Sequence, residues 1–445
     1  MRVARGCGVL GALALLVFVG CTDKTGTDTG DEPVDTDTDT TDTPTDTDTD
    51  TTPTAPVSPC ATGTWGALPD PTTAIHVSTT GSDGAVGTWD DPLASVEAAI
   101  ALSRADGGLR AIFVGPGSFD AALNLAHSVE DTTDDGLGIY GCGVDETTLA
   151  AAGRTDPVVK VSGVVGFTLD GFTLSGGRRA LWIWQGATAE ISNLAVIGSS
   201  RSGIVIDGSD TFTSATEVEV RDTVAEASGG GTDIGYGISL QLGTLEMTGG
   251  GVYGSTGVGV LVHFGSLALD TVTIASTSSD DSGYFGRGVQ LQELADGSFT
   301  DVTLTDNADA AIFALRALGT TIDGANITGT SAAQIPTTAT PTTTGDGIVI
   351  TQGESNYKVE SFQAEINNST VSGSDRAGVV VDGVTVNSCT GNVVTGNRYP
   401  ADGSPQIVVQ GDAVMPDPDV SDDWTTLTTP IELNVLSLEL DDLSL

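Results

Sequence analysis

Nine segments of the sequence repeat one pattern, beginning near residues 166, 189, 216, 244, 266, 296, 320, 362 and 385. Each holds a short β-type run, a Gly or Ser turn, and a second run of the form GIxVxx. Examples are GFTLDGFTLSGGRRALWIW, AEISNLAVIGSSRSGIVID and TLEMTGGGVYGSTGVGVLVHF. The common spacing is 22 to 24 residues, with longer insertions at 228–234, 277–285 and 332–346. A period of this size means one supersecondary unit stacked on the next, none of which buries its apolar face alone. The LxxLxLxxN pattern of leucine-rich repeats is absent, and WD repeats are longer. With 59 Gly and only 5% aromatic residues, a tightly turned all-β solenoid fits better than a helical bundle. The expectation is a parallel β-helix.

Alternation along each GIxVxx run assigns its faces. Leu181/Ile183, Ile204/Ile206, Ile238/Leu240, Val260/Val262, Val289/Leu291, Ile348/Ile350 and Val379/Val381 point inward and stack as the core. One outward column reads Trp182, Val205, Ser239, Leu261, Gln290, Phe313, Val349, Val380, Val408. The other reads Trp184, Asp207, Gln241, His263, Gln292, Leu315, Thr351, Asp382, Gln410. Arg178, Arg201 and Arg376 share one turn position, and Arg179 and Arg287 share the next.

Ahead of the repeats, IHVST at 75–79 reads as a strand and TGSDG at 80–84 as a turn. Asp90-Asp91-Pro92 supplies a cap and a helix-starting Pro. An amphipathic helix follows, with Leu93, Val96, Ala99 and Ile100 on one face, and ends at Gly107-Gly108. AIFVGPGSFD then reads as strand, turn, strand. The succession xVSxxGSDxxxGTxxxP, helix, IxVxPGxF resembles the opening of bacterial surface proteins of the pectin-lyase-like superfamily. That resemblance is close over 75 to about 150 and rests on periodicity beyond. It implies a right-handed parallel β-helix with an N-terminal capping helix, and it specifies no activity.

Arg2 and Arg5 precede thirteen apolar residues at 8–20, too few for the ~20 that span a bilayer, and Cys21 follows at once. Phe18-Val19-Gly20-Cys21 resembles the lipobox of bacterial lipoproteins, which implies acylation of Cys21. Thr22 after it resembles lipoproteins sorted to the outer membrane. Residues 22–59 carry eleven acids and one Lys in a Thr/Asp-rich tract with almost nothing to bury, the signature of an extended disordered linker. The organisation expected is a signal peptide at 1–20, a linker at 21–59, a cap with first coils at 60–165, repeats at 166–414 and a C-terminal cap at 415–445. Residues 60–445 still hold 49 acids against 13 Lys and Arg, a net of −36, which excludes a nucleic-acid binder. No P-loop, HExxH or GxSxG is present, so nucleotide, metalloprotease and serine-hydrolase chemistry fall away.

Lyase chemistry on uronates needs a base and usually a cation that stabilises the enolate. Arg178, Arg179 and Arg201 fall on adjacent coils beside Trp182 and Trp184, a set suited to stacking on a sugar while pairing with its carboxylate. Arg178 and Arg201 are the candidate bases. Trp182, Trp184, Arg178, Arg179, Arg201, Gln241 and His263 are the candidate ligand contacts. Glycoside hydrolases of this superfamily share an NxD, a DD, a GHG and an RxK. Here Asp280-Asp281 stands alone in an insertion. Calcium could sit on acidic loops through Asp280, Asp281, Asp306 or Asp309, the alternative being a solvated acidic surface. Cys60 and Cys142 are candidates for a disulfide or for two free thiols, and Cys389 reads as a buried core residue. Three functions stay open: a non-catalytic polysaccharide binder on the cell envelope, held to the lipid membrane through Cys21; a lyase or hydrolase of acidic polysaccharide; or a structural, adhesive surface protein.

Overall fold

A run of four to six alternating residues has no stability alone, so each run pairs with its equivalent one coil away. The computed structural model describes residues 57–107, 111–127, 132–151, 157–226, 234–335, 343–353, 362–398, 406–416, 424–426, 431–433 and 435. The proposed signal peptide, Cys21 and nearly all of the linker lie outside these residues.

Most coils contribute three short strands, and in the coils that contain Phe167–Gly176, Thr188–Ile197 and Phe212–Arg221 the first two are continuous. One coil runs through Thr244–Thr248, Gly251–Tyr253 and Gly257–His263, and the next through Ser266–Asp270, Thr273–Ala275 and Arg287–Gln292. The third strands stack as a 12-stranded sheet, here the front sheet, from Leu123–Ala126 to Trp424–Thr426. The first and second strands form a 20-stranded sheet folded along its length. Register follows the repeat: Ile204 faces Leu181 on one side and Ile238 on the other. All the inward residues predicted above are buried, and each contributes about 1.5–3 kcal/mol of apolar burial.

Three columns of left-handed residues make the corners. Asn193, Glu217, Thr271, Asp301 and Asn368 turn the chain within the folded sheet. Asp222, Ser276 and Asp306 turn it at that sheet's end, and Leu242, Phe264, Glu293 and Arg316 turn it after the front sheet. Asn and Asp tolerate this conformation, and the stacked coils hold the others in it. The glycine opening each GIxVxx run has a different reason. A Cβ on Gly237 or Gly259 would lie 2.6 or 2.5 Å from the carbonyl oxygen of the next coil.

The helix spans Val96–Asp106 and buries Val96, Ala99, Ile100 and Ser103. Its cap is Ser95, whose Oγ accepts from the Ala98 N–H, rather than Asp90 or Asp91. Asp83 fixes Ser95 by accepting from its N–H and its hydroxyl. Leu93 instead bridges to Val77 in an extended segment. Cys60 and Cys142 form a disulfide beside Leu68, Ala74 and Phe113. Cys389 is buried.

Alternation alone places the outward columns of the front sheet in solvent, and here the structure differs. Val205, Leu261, Gln290, Phe313, Val349, Val380 and Val408 are all buried. Phe285, with Tyr284, packs with Ile234 and Tyr236 against Val258 and Leu261. Further along, Ile431 and Leu433 lie on Phe313, Val349, Val380 and Val408. Gln410 ties that segment down, accepting from the Ile431 N–H and donating to its carbonyl, while Arg376 donates to the Glu432 carbonyl. The C-terminal segment therefore does two things. Trp424–Thr426 adds a parallel rung beside Ile407–Gln410, and residues 431–433 run over the outside of the front sheet.

Candidate functional site

One outward column of the front sheet stays partly open over four consecutive rungs. Trp184, Asp207, Gln241 and His263 are hydrogen-bonded neighbours in the ladder and all half-buried. Strand spacing sets their separation at about 4.8 Å per rung.

Trp184 stacks on Trp182 with ring centroids 4.7 Å apart and planes at 29°. Trp182 has no exposed surface, so it underlies Trp184 and offers no face to a ligand. Neither indole N–H has a hydrogen-bond partner. Lys160, the ladder neighbour of Trp182, holds its Nζ 4.7 Å from the Trp182 centroid and 5.0 Å from that of Trp184. Arg179 is buried with its guanidinium 4.8 Å from the Trp182 ring. It supports the platform from within and is not on the surface.

Arg178 and Arg201 converge on one carboxylate. Arg178 Nε donates to Glu226 Oε2 at 2.6 Å, and Arg201 Nη1 is 4.0 Å from the same oxygen. Burial lowers the Arg201 pKa, the neighbouring Arg178 and Arg179 charges lower it further, and Tyr236 and Glu226 oppose them. Burial also raises the Asp207 pKa, against one hydrogen bond from the Gly208 N–H. Burial lowers the His263 pKa, with the Glu293 charge opposing. His263 Nδ1 is buried with no partner, and the ring lies 4.3 Å from that of Phe264.

Lys160, Asp207 and Glu226 were not among the expected contacts. The signal for Lys160 was its position 22 residues before Trp182, one repeat. For Asp207 it was its place directly after Trp184 in the outward column.

The proposed metal ligands do not come together. Asp309 pairs with Arg287 at 2.6 Å. Asp280 Oδ1 accepts from the Ser282 and Tyr284 N–H groups and shapes its own loop. Asp306 is a corner residue. Among the described residues, no three His, Cys, Asp or Glu side chains converge as a cation would require.

Residues 179–364 match the family model described as the right handed beta helix region. The coils described above are those of a right-handed parallel β-helix. This agrees with the resemblance of residues 75 to about 150 to the pectin-lyase-like superfamily. Among curated proteins none matches the chain. Similar solved structures include pectate lyase Pel9A, at 12% identity over 73% of this chain and 80% of that one, with a TM-score of 0.44. The A-module of Azotobacter vinelandii mannuronan C-5 epimerase AlgE4 is 13% identical over 79% and 98%, with a TM-score of 0.39. The catalytic domain of a GH87 alpha-1,3-glucanase is 12% identical over 79% and 70%, with a TM-score of 0.31. These are distant likenesses of fold.

Proposed function

We propose that this β-helix is an envelope-anchored binder of acidic polysaccharide, with its contact surface on the row Trp184, Asp207, Gln241, His263 and on the adjoining Lys160, Arg178 and Arg201. The observation that carries this reading is the half-exposed Trp184, backed by Trp182 and overlain by Lys160, at the head of a straight row of polar side chains. A cation beside an aromatic face suits a sugar ring that carries a carboxylate. The protein's net charge of −44 opposes this at long range. At physiological salt that repulsion decays within about 8 Å, so the nearest charges decide the contact.

Titration with polygalacturonate tests it. Trp184→Ala and Lys160→Ala are each expected to weaken binding about tenfold, near 1.4 kcal/mol. Unchanged affinity in both variants contradicts the reading.

A second reading has its own observation. The Arg201 guanidinium, beside Arg178 and 4.0 Å from Glu226 Oε2, is placed to hold the carboxylate of a uronate that an eliminating lyase would act on. Unsaturated product that disappears in Arg201→Ala would establish it, whereas loss of affinity without any product assigns Arg201 to contact.

The anchoring half of the proposal rests on Arg2, Arg5, the apolar run 8–20 and Cys21. Two or more acyl chains give stable membrane attachment where one gives marginal binding. Metabolic labelling with a palmitate analogue is expected to mark the protein, and Cys21→Ser to abolish the label. Label that persists in the variant, or none in the wild type, contradicts it.

A further inference from the structure

The module that opens the solenoid encloses a separate cavity of about 320 Å³. His76, Trp89 and Phe113 supply its rings, and Ser78, Thr80 and Asp90 its polar groups. His76 is only 3% exposed. Its Nε2 lies 2.7 Å from the Pro71 carbonyl oxygen, which can only accept, so Nε2 carries the proton and Nδ1 is left as an acceptor. Nδ1 is buried and no hydrogen bond reaches it. Leaving such an acceptor unmet costs about 1–3 kcal/mol. Burial lowers the imidazole pKa, with the Pro71 carbonyl opposing, and so disfavours a second proton. Trp65, Trp89 and Phe113 surround the ring with centroids 5.5, 5.6 and 5.8 Å away, and none of them donates to Nδ1.

The missing group is thus a hydrogen-bond donor that also tolerates aromatic walls. The other polar groups are an Asp carboxylate and two hydroxyls, so several donors are welcome and an anion is not. The volume lies at the lower end for ligand sites, which suits one or two small rings.

We propose that this cavity binds a neutral sugar ring, with one ligand hydroxyl donating to His76 Nδ1, others meeting Asp90, Ser78 and Thr80, and the apolar face of the sugar against Trp89. This site is distinct from the front-sheet row and opposite to it in charge preference, and it does not depend on that row binding anything.

The test is nitrogen-15 NMR of the histidine rings of the full chain, which contains three histidines, titrated with methyl glucoside, methyl mannoside, methyl galactoside and methyl N-acetylglucosaminide. At least one probe is expected to move the His76 Nδ1 resonance in the direction of an accepted hydrogen bond while His263 stays in place. Trp89→Ala and His76→Phe are expected to weaken that probe at least about tenfold, and Trp184→Ala to leave it unchanged. If His76→Phe fails to fold, Trp89→Ala still decides, because Trp89 is only half-buried. No shift of His76 with any of the four probes overturns the proposal, and so does a shift that survives Trp89→Ala. Loss of polygalacturonate binding in Trp184→Ala reports on the front-sheet row alone, so failure of one site is read separately from failure of the other.

Discussion

Asp309→Asn is expected to destabilise the solenoid by about 3–5 kcal/mol, the effect of breaking a buried ion pair from one side. Arg287 and Asp309 are 0% and 1% exposed, with Nε and Oδ2 2.6 Å apart. The guanidinium also donates to Gln290 Oε1 at 2.9 Å, and Gln290 donates to Gln292. Its Cζ lies 3.7 Å from the Phe313 ring centroid. Burial lowers the Arg287 pKa against the pull of Asp309, yet an arginine does not give up its proton near neutral pH. Removing the carboxylate charge therefore leaves a full positive charge without its counter-ion. Asparagine keeps the shape and tolerates the left-handed backbone at this position, which isolates the charge. The urea midpoint should fall with an unchanged slope. The double variant Arg287→Met with Asp309→Asn should recover most of the loss. A drop under about 1 kcal/mol for the single variant would mean that water or another group relieves the charge.

Cys142→Ser is expected to lower stability by about 4 kcal/mol, because the bridge to Cys60 spans 82 residues of sequence and a loop of that length loses much unfolded-state entropy when closed. The bridge joins the start of the described chain to an early coil and packs with Leu68, Ala74 and Phe113. Wild-type protein should show the same loss in reductant, and the variant should be indifferent to reductant. Equal melting with and without reductant in the wild type contradicts the prediction.

The parts of the fold legible in the sequence are those the repeat dictates. Side-chain direction alternates and strand equivalents recur every coil, so Ile204, Ile238 and Val260 could be stacked from spacing alone. The same spacing put Arg178 level with Arg201 and Arg179 level with Arg287. What spacing could not give is the behaviour of segments that have no period. The loop carrying Tyr284 and Phe285 and the segment at Ile431 and Leu433 cover an outward column that alternation assigns to solvent. Trp182 was expected to offer a face and instead lies under Trp184. The arginines divide by what folds against them. Arg287, Arg316 and Arg376 each face a carboxylate, from Asp309, Glu293 and Asp346, and those partners sit at corner or strand-opening positions that the repeat alone leaves undetermined. Lys160 precedes the first repeat segment at 166, so its pairing with Trp182 shows only once the coil before that segment is placed. His76 gave no signal at all, since its aromatic neighbours come from 65, 89 and 113 and meet only in the folded module.

The most direct test of the central claim is a calorimetric titration of the protein with polygalacturonate and, separately, with a neutral glucan of similar length, each with calcium and with chelator. The front-sheet row predicts binding to the acidic polymer that is independent of calcium and weakens as salt rises, with no binding of the neutral chain at that row. Equal affinity for both polymers in Trp184→Ala and wild type, or no binding of the acidic polymer under any condition, would contradict it.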